Sequence, residues 1–171
     1  LRDDEKSKEL REKYRQFMEN IFVLIGNDRN SAAKISRDLL AFETRLARAS
    51  MSRLDMREAE ATYHPMTLNE LKALTPDFSW NVLFEKLGIN DEENFSKGVN
   101  VGQPEFFKEV NRMLTDVSID QWKNYLKWNL MRSAADKLSM PFANESFNFY
   151  SKALRGVEKE RDRWREGIDF V

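Results

Sequence analysis

The sequence predicts an all-α fold: about eight helices in an orthogonal or bundle-like array around a central helix at 118–138. Three observations carry this. The stretch SIDQWKNYLKWNLMRSAADKL is apolar at helical spacing on two sides. Only six glycines and four prolines interrupt 171 residues. No segment alternates apolar and polar residues with the period of a half-buried strand.

In the central helix, Ile119, Trp122, Leu126, Leu130 and Ala134 form one stripe. Trp128, Met131, Ala135 and Leu138 form another, a third of a turn or more away. Two apolar flanks predict a helix packed between other elements. Ser118 and Gln121 have the spacing of a capping box at its start.

A first helix is expected from about Asp3 to Ile25, on Leu10, Tyr14, Phe17, Met18, Ile21 and Leu24/Ile25, with Gly26 as its stop. Asn30 or Ser31 should cap a second, reaching Ala49 through Ile35, Leu39, Phe42 and Leu46. From Met51 to Pro65 the pattern weakens into a connecting segment. Thr67 and Glu70 make a capping box before LNELKAL, and Pro76 ends that helix. Asp77 or Ser79 starts the next, on Trp80, Leu83, Phe84 and Leu87, with Gly88 as its C-terminal cap. Residues 89–102 read as a loop with a short extended piece at Val99–Val101. Pro104 suits the first position of a helix running to about Thr115. Beyond the central helix, Ser139-Met140-Pro141 should break the chain. Asn144 or Ser146 then caps a helix through Phe147, Tyr150 and Leu154, with Gly156 past its end. A last helix begins near Glu158 and carries Trp164.

Composition narrows the function classes. At 171 residues, with 41% hydrophobic and 33% charged residues, one globular domain is expected. The formal net charge of −1, with signs mixed as in DDEKSKELREK, argues against a nucleic-acid partner. Without cysteine, disulfides, thiolate zinc sites and cysteine nucleophiles are excluded. No apolar run reaches the roughly 18 residues of a membrane helix, and no signal peptide is present. The chain starts at Leu1 inside a charged helical pattern and stops at Val171 inside another. It therefore reads as an excised piece of something longer.

Candidate chemistry is sparse. A zinc hydrolase gathers two histidines and a carboxylate around the ion, and His64 is the only histidine. Neither a nucleophile elbow nor a Gly-rich phosphate loop is present; the nearest fragment, GVNVG, lacks the spacing and the lysine. Asp91, Glu92 and Glu93 read as solvated loop. The aromatic residues read as core, Trp122 and Trp80 foremost, while Trp164 could have packed on chain outside this sequence. The sequence thus assigns no catalytic, cofactor-binding or metal-binding residue.

Several spaced motifs nevertheless resemble one family. ASMSRLDMREAEATYHPMTLNELKALTPDFSW is similar to a stretch of the neprilysin and endothelin-converting enzyme family of zinc metalloendopeptidases, near the bacterial peptidase O branch. Arg53, Arg57, Tyr63, Met66, Leu71, Pro76, Phe78 and Trp80 occupy the pattern's positions, with Arg57-Glu58 where Arg-Asp is usual. VNVGQPEFFKEVNRMLTDVSIDQWKNYLKW and SFNFYSKALRGVEKERDRW continue the likeness, with Asp162 where proline is common. The resemblance covers nearly the whole chain.

It implies the following. Family members hold zinc through H-E-x-x-H and a downstream glutamate in a catalytic domain. A mostly helical domain walls a chamber that admits peptides and excludes folded proteins. This sequence resembles that helical cap and has neither H-E-x-x-H nor the N-A-Y/F-Y substrate element. No family catalytic residue can be placed on it. It should therefore bind no zinc and cleave nothing by itself; zinc is expected in the full-length protein. Its partners would be the remainder of the polypeptide and peptide substrates. Location would be extracytoplasmic, and the lack of cysteine fits bacterial members. The alternative is an autonomous all-helical protein-interaction module.

Overall fold

The computed structural model describes residues 2–89, 95, 97–159 and 164. Among them are seven α-helices and a sheet of two two-residue strands, so the fold is essentially all-α. The chain forms two compact units. The first comprises residues 1–41 and 120–171, the second residues 42–119.

Helix α1, Glu5–Leu24, opens the first unit. The Asp4 carboxylate caps it, accepting from the Ser7 backbone N–H at 2.9 Å and its hydroxyl at 2.8 Å. Phe17, Met18, Ile21 and Phe22 form its buried face, and Gly26, at φ 98°, follows its end. Helix α2 spans Arg29–Ala49. Its cap is Asp28, whose Oδ1 accepts from the N–H groups of both Asn30 and Ser31 at 3.0 Å. The expected caps Asn30 and Ser31 are thus the second and third residues of the helix, donating their own N–H groups. Ser36 is fully buried and satisfied; it donates to the Ala33 carbonyl and accepts from Arg15.

The central helix α6, Ile119–Ala134, tightens into a 3₁₀ turn at Ala135–Lys137. Trp128 and Ala135 are completely buried, so the second predicted stripe is core. The first is not. Ile119, Leu126 and Leu130 are 67%, 63% and 67% exposed. Trp122 is half-buried, so the tryptophan at the centre of the core is Trp128. Trp128 meets Tyr14 and Phe17 edge-on, with ring centroids 5.8 and 5.2 Å apart.

The expected break at 139–141 is a helix start. Ser139 is the N-cap of α7, Met140–Ser146, and Pro141 lies in its first turn, where its missing N–H removes no bond. The helix continues without interruption into a π-helical stretch, Phe147–Ala153. Asn144 and Ser146 are therefore interior residues, not caps. The wider π turn brings Phe149 and Tyr150, adjacent in sequence, both against Phe17, at 5.3 and 5.7 Å. Gly156 follows at φ 71°. The expected last helix falls largely outside the described residues.

In the second unit, two 3₁₀ turns, Asp55–Arg57 and Glu60–Thr62, form the connecting segment and bury no side chain. Strand β1, Pro65–Met66, pairs antiparallel with β2, Val99–Asn100. The sequence signals β2 but not β1, because two residues are too few for alternation. The Asn100 side chain extends the pairing, accepting from the His64 N–H at 2.7 Å and donating to the Thr62 carbonyl at 3.0 Å. Helix α3, Leu68–Leu74, begins on the predicted capping box. Thr67→Ala removes the bond its hydroxyl accepts from the Glu70 N–H. The expected loss is about 1 kcal/mol, read as a lower denaturation midpoint. Helix α4, Trp80–Leu87, ends at Gly88, φ 65°, and α5, Pro104–Asp116, starts on proline as expected.

Arg45, from the part of α2 in this unit, binds the carboxylates of Glu109 and, at 2.8 Å, Asp116 on α5. Arg45, joined by Arg112, holds the Glu109 carboxyl below the usual carboxylate range; Arg45 does the same to Asp116. Depressed carboxylates stabilise the folded state above their unfolded pKa, and the contribution is lost as pH falls through the folded value. The stability difference between wild type and Arg45→Met should therefore shrink as pH falls from about 7 to about 3, measured by urea denaturation at each pH.

Candidate functional site

The single histidine lies in the second unit, just before β1. Its backbone is fully used, N–H to Asn100 Oδ1 and C=O from the Val101 N–H. Its ring Nδ1 is buried and makes no hydrogen bond. Among the described residues, no group of three or more His, Cys, Asp or Glu could hold a metal ion. GVNVG, at 98–102, is strand β2 and its flanks, with backbone committed to β1 and His64 instead of a phosphate. Asp91, Glu92 and Glu93 lie outside the described residues.

Phe17, Phe22, Phe42, Phe84, Trp128 and Phe149 are core, whereas Tyr63 and Trp164 are exposed. Trp80 is half-buried, meets Phe78 and Phe84 with tilted rings at 4.7 and 5.6 Å, and donates its indole N–H to Thr75 Oγ1 at 2.8 Å. Thr75 is buried and donates onward to the Leu71 carbonyl at 3.1 Å. The buried hydroxyls of Ser36 and Thr75 are thus spent on carbonyls, and among the described residues neither donates to a base.

Titration points the same way. Among the described residues, the perturbed carboxylates are held below their ordinary range. Glu12 is lowered by Arg15, Glu109 by Arg45 and Arg112, Asp28 by the Ser31 hydroxyl and N–H. A general acid requires the opposite, a carboxyl raised by burial or by a like charge. These are helix caps and ion pairs.

What the first unit offers is binding surface. One groove of about 410 Å³ runs over α1 and the π stretch. Phe17 and Phe149 form its apolar floor; Lys13, Gln16, Asn148 and Lys152 line its rim. Asn20 donates to Glu145 there at 2.8 Å. A second, about 460 Å³, brings Arg2, Arg11 and Arg132 around Tyr14 and Tyr150. Ser7 lines the second, but its hydroxyl donates to the Asp4 carboxylate that caps α1, and the Ser7 N–H and hydroxyl hold that carboxylate below its ordinary range, which makes it a poor base. The arginine groove has no sequence signature, because its members are separated by up to 130 positions and meet only through the packing of α1, α6 and the π stretch.

The described residues are thus two mainly helical units, and the buried or paired polar groups described above serve as caps, ion pairs and core hydrogen bonds. The family model for Peptidase family M13 matches residues 1–171, and the chain belongs to that family. Neprilysin-3 of Drosophila melanogaster is 29% identical over 163 residues, covering 89% of this chain and 20% of that protein. Endothelin-converting enzyme-like 1 of Rattus norvegicus is 27% identical over 166 residues, 95% of this chain and 21% of that one. The crystal structure of the Mycobacterium tuberculosis zinc metalloprotease Zmp1 with an inhibitor superposes with a TM-score of 0.89 at 27% identity. It covers 98% of this chain and 25% of its own. The chain thus spans about a fifth of the curated relatives and a quarter of the solved one.

Proposed function

We propose that residues 1–171 are the non-catalytic helical cap of a neprilysin-like zinc metalloendopeptidase, walling the chamber through which peptides reach a zinc site elsewhere on the same polypeptide. The observation that carries this is the superposition of 98% of the chain on one quarter of a zinc metalloprotease. The described residues do not fit a zinc ion: one histidine, no gathered donor set, and carboxylates already bound by arginines and helix ends. The ion belongs to the remainder of the chain. The cap's own contribution is steric and entropic. A rigid wall excludes folded proteins, and enclosure limits the orientations of a bound peptide. The protein works outside the cytoplasm; among the described residues no helix is long and apolar enough to cross a membrane.

The test uses the native gene product. A longer chain carrying stoichiometric zinc is expected, with cleavage of short peptides abolished by chelation and folded proteins left intact. A natural chain ending at Val171, or stoichiometric zinc with peptidase activity from residues 1–171 alone, would overturn the reading. The first of these outcomes would leave the interaction module standing.

A further inference from the structure

Helix α6 carries an apolar ridge whose leucines, Leu126 and Leu130, no described residue of the first unit covers. Trp122, Leu126 and Leu130 recur every four residues, one above the other. Leu126 is 63% exposed and Leu130 67%, while Trp128 on the far side is completely buried. At about 100° per residue, Leu126 and Trp128 point nearly opposite ways. The helix is thus packed on the Trp128 side and open at Leu126 and Leu130 on the other, with Trp122 half-buried at the end of the ridge. Isolated exposed leucines are ordinary on a protein surface; two adjacent leucines extending a tryptophan along one ridge make the kind of stripe that takes another helix.

The edges of the stripe differ. On one side stand Lys123 and Lys127. Lys123 reaches Asp120 only at 3.7 Å with both groups exposed, and Lys127 has no ion pair among the described residues. On the other side Asn129 and Ser133 are uncharged and turn back onto their own helix, donating to the Tyr125 and Leu130 carbonyls at 2.9 and 2.8 Å.

We propose that this face seats a helix from the part of the polypeptide outside residues 1–171, apolar along its contact and carrying a carboxylate opposite Lys127. The inference rests on the cap reading above. Three quarters of the solved relative's chain lies outside the part that superposes here, so polypeptide is at hand to cover the face. A second copy is a poorer occupant. Two leucines and a tryptophan edge fall well short of the roughly 800 Å² per partner of a stable interface. A segment of the same chain docks without the loss of translational freedom that association costs.

The test is solvent access in the full-length, folded protein. Residues 1–171 contain no cysteine, so Leu126→Cys and Leu130→Cys place single thiols on this stretch. Maleimide labelling is read at peptide level, native against urea-unfolded. Both thiols should label roughly tenfold or more slowly in the native protein. Native rates close to the unfolded ones overturn the proposal. Hydroxyl-radical footprinting of Leu126 and Leu130 in the wild type gives the same readout should a variant misfold. Carbodiimide coupling should join Lys127 to an Asp or Glu outside residues 1–171 of the same chain. Protection that appears only with bound peptide, or only at high protein concentration, assigns the face to substrate or to a second copy and also overturns it. Chain length, zinc content and cleavage are measured on the same preparation. If the native chain is no longer than 171 residues, the cap reading falls and takes this inference with it. If it is longer, zinc-loaded and active while both thiols label freely, this inference alone fails.

Discussion

Replacing Trp128 with alanine should destabilise the protein by about 3–5 kcal/mol, the range for deleting a large buried aromatic. Trp128 is completely buried, and its ring contacts Tyr14 and Phe17. The cost has two parts. The transfer of the indole from water is lost, and a cavity opens between α1 and α6 that the surrounding rings fill only partly. The hydrogen bond from Trp128 Nε1 to Tyr14 OH, at 3.2 Å, adds little. Tyr14 is half-buried, so its hydroxyl can find water when the indole goes. Trp128→Phe keeps an aromatic ring in contact with Tyr14 and Phe17 and should recover more than half of the loss. Urea denaturation followed by circular dichroism measures both, since the substitution removes a fluorophore. A cost under about 1 kcal/mol for Trp128→Ala would mean that the core closes without it.

That expectation also shows what the sequence could and could not convey. Helical periodicity marked both stripes of α6 as apolar, correctly. It could not rank them, because burial depends on which neighbours arrive, and the neighbours of Trp128 lie more than 100 positions away on α1. Signals written within a few residues were legible: the Thr67/Glu70 box, Pro104 at a helix start, Gly88 at a helix end. The cap of α2 was misplaced: the sequence points to Asn30 or Ser31, but Asp28 holds the place because its side chain precedes the first turn and accepts both of their N–H groups. The π stretch was invisible for a different reason. Counting in steps of three and four puts Phe147, Tyr150 and Leu154 on one stripe. The wider turn buries Phe149 instead and leaves Leu154 44% exposed. Strand β1 was too short to carry a period. The family was legible because its motifs are spaced patterns needing no tertiary contact. The arginine groove was not, since Arg2, Arg11 and Arg132 become neighbours only in the folded unit.

Gly98→Ala should be the most damaging small substitution in the second unit, for two separable reasons. Gly98 has φ 84°, in the left-handed region, where a residue with a β-carbon pays about 1–2 kcal/mol. In addition, its new Cβ would lie 2.7 Å from the Met66 carbonyl oxygen. That oxygen cannot swing aside as a side chain would. Met66 is paired with Val99, and the next residue, Thr67, is held by the capping box. Relief requires the two strands to part, which also strains the bond from the Val101 N–H to the His64 carbonyl. A total of about 2–4 kcal/mol is expected, combining the left-handed penalty with the strain of a displaced backbone. Gly88→Ala is the matched control. Gly88 also has a left-handed φ, 65°, but its added Cβ meets nothing within 4 Å. The difference between the two variants therefore isolates the contact from the backbone conformation. Thermal denaturation gives the two losses, and hydrogen exchange at the Val101 amide shows where the first one falls. If both glycines cost the same and the Val101 amide stays protected, the β1–β2 pair accommodates the methyl group, and the approach of Gly98 to Met66 contributes nothing to stability.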